Sequence, residues 1–142
     1  MKKLIVILFT IVSLNSLGQS SASDFLRLAI KYVDSGNFTT AITNCNKAVV
    51  MDSTMASAWY LRGFVKYKVD DFKGAINDLT ATLERDEGFV EAFYYRGLAY
   101  NESGNYWRAY RDLQKAQDVI PHNTYALLIK GVLQNIFGTG GA

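Results

Sequence analysis

His122 and Cys45 are the chain's only imidazole and its only thiol. A closed zinc site takes four nitrogen or sulfur ligands, so these two cannot build one, and no run of acids has the spacing of a calcium loop. His122 follows Pro121 and is expected in a solvated turn. Cys45 falls at an apolar position and reads as a small buried hydrophobe, not a reactive thiol. Without a second cysteine no internal disulfide forms. No glycine-rich loop follows a strand pattern, and Gly138-Thr139-Gly140-Gly141 comes after a helical one, so no phosphate cradle is indicated. The residues therefore point away from an enzyme and imply neither metal nor cofactor. One charged motif does recur. Arg62 and Asp78 are separated by the same interval as Arg96 and Asp112, and the preceding equivalents are Leu28 and Asn44. Charges that are present together and absent together predict ion pairs, each joining two helices. Such a pair contributes about 0–1 kcal/mol when exposed and more when partly buried.

Aromatic and aliphatic residues also recur, at spacings of three and four. Leu26, Ile30 and Val33 form one set; Tyr60, Phe64 and Tyr67 a second; Tyr94, Leu98 and Asn101 a third; Tyr125 and Leu128, with Val132, a fourth. Each set lies along one face of a helix. If those faces are open, they supply the ring-rich anchors of a protein-binding surface. The alternative is that several of these side chains pack on neighbouring elements.

Comparing the chain with itself identifies what must hold these residues. Gly63, Gly97 and Gly131 are evenly spaced, and Phe25, Trp59, Phe93 and Leu127 keep the same interval. Ala41, Ala75 and Ala109 share that register, with Phe38, Phe72 and Tyr106, then Cys45, Leu79 and Leu113, then Ala48, Thr82 and Ala116. So many columns agreeing on one period signify a repeat architecture. The columns resemble the tetratricopeptide repeat (TPR), over residues 22 to about 137. Copy 90–123 carries Phe93, Gly97, Tyr100, Ala109, Leu113, Ala116 and Pro121 at the signature positions. Copy 56–89 departs at Lys66, Thr82 and Glu87, and copy 22–55 has Ala29 for glycine.

Within each copy Gly36-Asn37, Asp70-Asp71 or Gly104-Asn105 separates two helical patterns. The first residue of each pair suits a left-handed helix end, and the second suits a helix cap. The reading is all-α: a right-handed α-solenoid of three TPR helical hairpins, 22–55, 56–89 and 90–123, plus a C-terminal helix at 124–137 and a flexible tail at 138–142.

The N-terminus is of another kind. Met1-Lys2-Lys3, an apolar run from Leu4 to Val12 broken only by Thr10, and then small polar residues predict a signal peptide over 1–18. The run is well short of the roughly 18–20 residues of a spanning helix. Cleavage after Gly18 or after Ala22 both satisfy the small-residue rule, and Gln19 stands where a lipoprotein would have cysteine. The formal charge is +2, and loss of Lys2 and Lys3 brings it to zero, which disfavours a nucleic-acid partner. The expected location is the periplasm or the exterior. The alternative is an uncleaved segment anchoring the chain in an envelope assembly.

The resemblance implies a scaffold or adaptor that binds another protein or peptide in a concave groove. Some relatives grip a C-terminal carboxylate there with lysine and asparagine. The matching first-copy positions are Leu26 and Ile30, and the third copy offers Glu91, so an apolar or aromatic segment fits better. Residues 124–137 match the first helix of a fourth copy, with Leu127 and Gly131 expected at packing positions. Leu127, Leu128, Ile129, Val132, Leu133, Ile136 and Phe137 are too many for one buried stripe. Self-association through this helix, a partner, or a longer chain supplying the missing helix would cover the excess.

Overall fold

The computed structural model describes residues 20–117 and 121–138; the leader expected over 1–18 lies outside them, as does the tail beyond Gly138. The described residues form helices α1 (Ala22–Asp34), α2 (Phe38–Met51), α3 (Ala56–Lys68), α4 (Phe72–Arg85), α5 (Val90–Glu102), α6 (Tyr106–Lys115) and α7 (His122–Phe137). Each helix packs on the next, making three antiparallel hairpins with α7 laid against α6. The first helices also touch across hairpins, α1 on α3 and α3 on α5, and so form the inner wall of a right-handed solenoid.

One turn serves all three hairpins. Gly36, Asp70 and Gly104 take φ of 74°, 61° and 76°, the left-handed region that ends a helix. The next residue returns its N–H to the helix just completed, Asn37 to the Tyr32 carbonyl at 2.8 Å, Asp71 to Lys66 at 2.9 Å and Asn105 to Tyr100 at 2.8 Å. Asn37 and Asp71 then cap the following helix through their side chains, accepting from Thr40 and Gly74. Asn105 stands at the same place without a side-chain capping bond.

The small columns are the core. Ala29, Ala41, Ala48, Ala75, Ala92, Ala99, Ala109 and Ala116 are fully buried around Leu79, Leu113, Val65 and Cys45. Backbones approach closely there: a Cβ added to Gly63 or Gly97 would lie 2.9 Å from Cγ of Leu79 or Leu113. Burial pushes the Cys45 thiol up to about 12, which keeps it protonated and unreactive.

Two expectations at the C-terminal end need correction. His122 is not a turn residue but the first of α7, exposed, with Pro121 preceding the helix. Proline at a helix start sacrifices no bond, because its missing N–H would have had no partner there. Leu127 and Gly131 do not pack either: Leu127 is 71% exposed, and nothing lies within 4 Å of a Cβ built on Gly131. In the other copies those columns face the second helix of the same hairpin. Among the described residues no such helix lies against α7. Its buried side is instead formed by Val132, with Tyr125, Leu128, Ile129 and Ile136 packed on the third hairpin.

Candidate functional site

Inner-wall residues fall into two groups. Leu26 packs on the cluster of Ala48, Val49 and Ala58, whereas Ile30, one turn along, is 47% exposed and Val33 is half-buried. Leu98, Tyr94, Tyr125 and Leu128 lean on the third hairpin's core while keeping part of their surface. Val132, from the same stripe, is core and not groove, since α7 turns it onto α6.

The second group is a connected set of rings. Tyr60 meets Phe89 with centroids 4.6 Å apart, and Phe64 meets Tyr95 edge-on at 4.8 Å. Tyr67 lies 5.7 Å from Tyr95 and 5.9 Å from Phe72, and Tyr94 lies 4.9 Å from Tyr95. Tyr95 is thus the hub, touching rings of α3 from α5. Tyr60, Phe64 and Tyr67 are therefore not free anchors; they pack across hairpins and present what remains of their surface. Desolvation raises the phenols of Tyr60, Tyr67 and Tyr95 above their ordinary value. Phe64 packs on Tyr60 and Tyr95 alone among these rings and carries Lys68 Nζ 5.4 Å above it, at the rim. Asn101 continues the wall with a buried Oδ1 that accepts no hydrogen bond from the described residues.

Phe89 and Tyr95 were not among the candidate residues. Phe89 has a signal in sequence, because Met55 precedes it by one full repeat and likewise stands just before a first helix, packed on the core. Tyr95 sits one position off the stripe, where α5 turns toward α3.

The charged columns meet between the helices. Arg62 Nε and Nη2 donate to Asp78 at 2.8 Å each, and Arg96 donates to Asp112 at 2.6 and 3.0 Å. Both carboxylates are buried. Lys66, a departure from the aromatic column, reaches Asp78 Oδ2 at 2.8 Å and so adds a second cation. Arg62 also lies over the Trp59 ring at 4.7 Å, with Arg85 over the same ring at 4.4 Å. Among the described residues no three histidine, cysteine, aspartate or glutamate side chains converge as metal ligands. None of the described helices is long and apolar enough to cross a membrane.

No family model matches the chain. Solved structures do. The first TPR of Spaghetti (RPAP3), bound to the HSP90 peptide SRMEEVD, superposes with a TM-score of 0.76 at 18% identity, covering 82% of this chain and 93% of that one. The Arabidopsis OM64 TPR domain gives 0.74 at 20% identity over 78% and 93%. YrrB, a TPR protein with an unusual peptide-binding site, gives 0.69 at 25% identity over 80% and 59%. Among curated proteins, superkiller complex protein 3 of Mus musculus is 31% identical over 81 residues, and a FAM10 family protein of Arabidopsis thaliana 27% over 107. Those stretches are 57% and 75% of this chain but only 5% and 24% of the relatives. The fold is that of a TPR solenoid.

Proposed function

We propose that the chain is a non-catalytic protein-interaction module whose inner wall receives an apolar or aromatic segment of a partner. The observation that carries this reading is the connected, half-buried ring set of Tyr60, Phe64, Tyr67, Tyr94 and Tyr95, with Ile30 of α1 also exposed. Rings held by one another have already lost their rotamer freedom, so a partner gains their contact area at low entropic cost. One structural relative is bound to a peptide and another has a peptide-binding site, which supports peptide binding as a use of this fold. Selection of a displayed random-peptide library against the chain tests it. Enriched sequences should be apolar or aromatic, and Ile30→Asp and Phe64→Ala should each weaken them. Enrichment of acidic C-terminal tails indifferent to both substitutions would refute the reading.

Export to the periplasm or the exterior belongs to the same proposal. It rests on the leader pattern and on the cap that starts α1. Ser21 caps α1 reciprocally with Asp24, its N–H donating to Oδ2 at 2.9 Å while its Oγ accepts from the Asp24 N–H at 3.2 Å. Cleavage after Gly18 preserves that box, whereas cleavage after Ala22 removes it. Mass spectrometry of the exported protein should find Gln19 at the new N-terminus. An intact Met1 would favour the membrane-anchored reading.

A further inference from the structure

The second and third hairpins contain a template for what α7 can hold. In each, a glycine of the first helix receives a leucine of the second, Gly63 with Leu79 and Gly97 with Leu113. The residue before each glycine is an arginine, and the residue before each leucine is the aspartate it grips. Small buried residues stand four positions before and three after the leucine, Ala75 and Thr82 in one hairpin, Ala109 and Ala116 in the other. The receiving helix thus reads cation-glycine, and the received helix reads small-x-x-Asp-Leu-x-x-small.

α7 repeats the receiving half. Gly131, Lys130 and Leu127 stand one full repeat after Gly97, Arg96 and Phe93. Space around Gly131 is open, Leu127 is 71% exposed, and exposed Lys130 forms no ion pair among the described residues. Phe137, 65% exposed, is not part of that open side, because its ring meets Trp107 of α6 edge-on at 5.8 Å. Meanwhile Val132 and its neighbours fix the opposite side of α7 to the third hairpin. The helix is held by one face and offers the other.

The geometry points to α7 as a half-built repeat that accepts a helix from a partner polypeptide: leucine against Gly131, an acidic residue beside it against Lys130, and small residues on either side. Charge selects this occupant over a second copy. α7 contains no acidic residue, so two copies joined through it would bring Lys130 toward Lys130 and supply no carboxylate. This surface is separate from the ring set of α3 and α5.

The probe is a labelled peptide with the sequence of α4, Phe72–Arg85, held helical by a staple on its exposed side and titrated into the full chain. It carries the received pattern at Ala75, Asp78, Leu79 and Thr82. Binding should saturate and should weaken about tenfold or more in Lys130→Glu, the scale of losing a charge-assisted contact. A peptide with Asp78→Lys should recover affinity for Lys130→Glu and lose it for the native chain. Gly131→Leu should also abolish binding while raising helix stability, because it replaces an interior glycine that has open space around it. Phe64→Ala, which probes the groove, should leave the peptide's affinity unchanged. Affinity indifferent to both α7 substitutions would overturn the proposal. So would a concentration-dependent mass that Lys130→Glu leaves unaltered, since the occupant would then be a second copy.

Discussion

Arg96 holds Asp112 through two nitrogens, Nε to Oδ2 at 2.6 Å and Nη2 to Oδ1 at 3.0 Å, and turns Nη1 to Thr80 Oγ1 at 3.0 Å. Asp112 belongs to its own hairpin and Thr80 to the one before. Arg62 makes the same pair of attachments, to Asp78 and to Asn46 Oδ1 at 2.8 Å. Each guanidinium therefore joins two successive second helices, so the ion pair is a bond between repeats as well as within one. Only a planar fork with several donors can do this at once.

The stability of the array should depend on these contacts. Asp112 is 8% exposed at its side chain and Arg96 15%, so removing one partner strands a mostly desolvated charge. Asp112→Ala should cost about 3–5 kcal/mol in urea unfolding, and a double-mutant cycle with Arg96→Ala should give coupling above about 1 kcal/mol. Arg96→Lys should recover only part, having no fork to reach Thr80. Coupling near zero would mean that the pair is solvated in solution.

Tyr60 and Phe64 should separate stability from binding. Tyr60 packs on the cluster of Ala75, Leu79, Ala92 and Ala99, and its ring lies 4.6 Å from Phe89. Tyr60→Ala should cost about 2–3 kcal/mol, below the fully buried range because the residue keeps part of its surface. Phe64 sits at the rim, and Phe64→Ala should cost under about 1.5 kcal/mol while weakening a groove ligand more than Tyr60→Phe does. Thermal melts and peptide titration on the same variants distinguish the two. Equal stability losses would place Phe64 in the core.

Columns in register from copy to copy made the hairpins legible, because a repeat displays the same packing solution several times and chance agreement falls with each copy. The Arg–Asp pairing was legible for the same reason, two copies carrying both charges and one carrying neither. What crossed between copies was harder to read. Tyr95 lies one position off the stripe of Tyr94 and Leu98, and its role depends on how far α5 is rotated toward α3, a property of the superhelix and not of any one helix. Lys66 read as a lost aromatic, yet its long stem lets it reach Asp78 from the aromatic's place. Register alone points Leu127 and Gly131 to packing positions. Register specifies which face a residue occupies, whereas burial requires a second element against that face.

Adding one methyl group at two equivalent glycines should have opposite effects. Gly97→Ala gains about 1 kcal/mol of helix propensity, but the new Cβ would lie 2.9 Å from Leu113 Cγ and 3.3 Å from its backbone nitrogen. Overpacking costs about 1–3 kcal/mol, and backbone cannot step aside, so the net change should be destabilising. Gly131→Ala meets nothing within 4 Å and should stabilise α7 by about 0.5–1 kcal/mol. Hydrogen exchange of the α5 and α7 amides reads both. A stabilising Gly97→Ala would show that α5 and α6 are less closely packed than their glycine contact implies.

The ring set also sets an alkaline limit on the fold. Burial raises the phenols of Tyr60, Tyr67 and Tyr95, and of Tyr125 less deeply within the fold, because the phenolate loses hydration there. An unfolded tyrosine ionises near pH 10. A folded value above that means the native state retains protons the unfolded state has released. The associated stability is fully present below about pH 10 and is lost as pH rises through the folded values. Of nine tyrosines, then, these four should ionise late in a tyrosinate absorbance titration, and the delay should vanish in urea. Tyr95→Phe keeps the hub ring and removes one late phenol, so it should shift the alkaline unfolding midpoint upward while reducing the late amplitude by about a quarter, one of the four late phenols. A single transition for all nine in the folded chain would mean that the rings are open to water, and the inner wall would then lack the preorganisation on which its proposed partner depends.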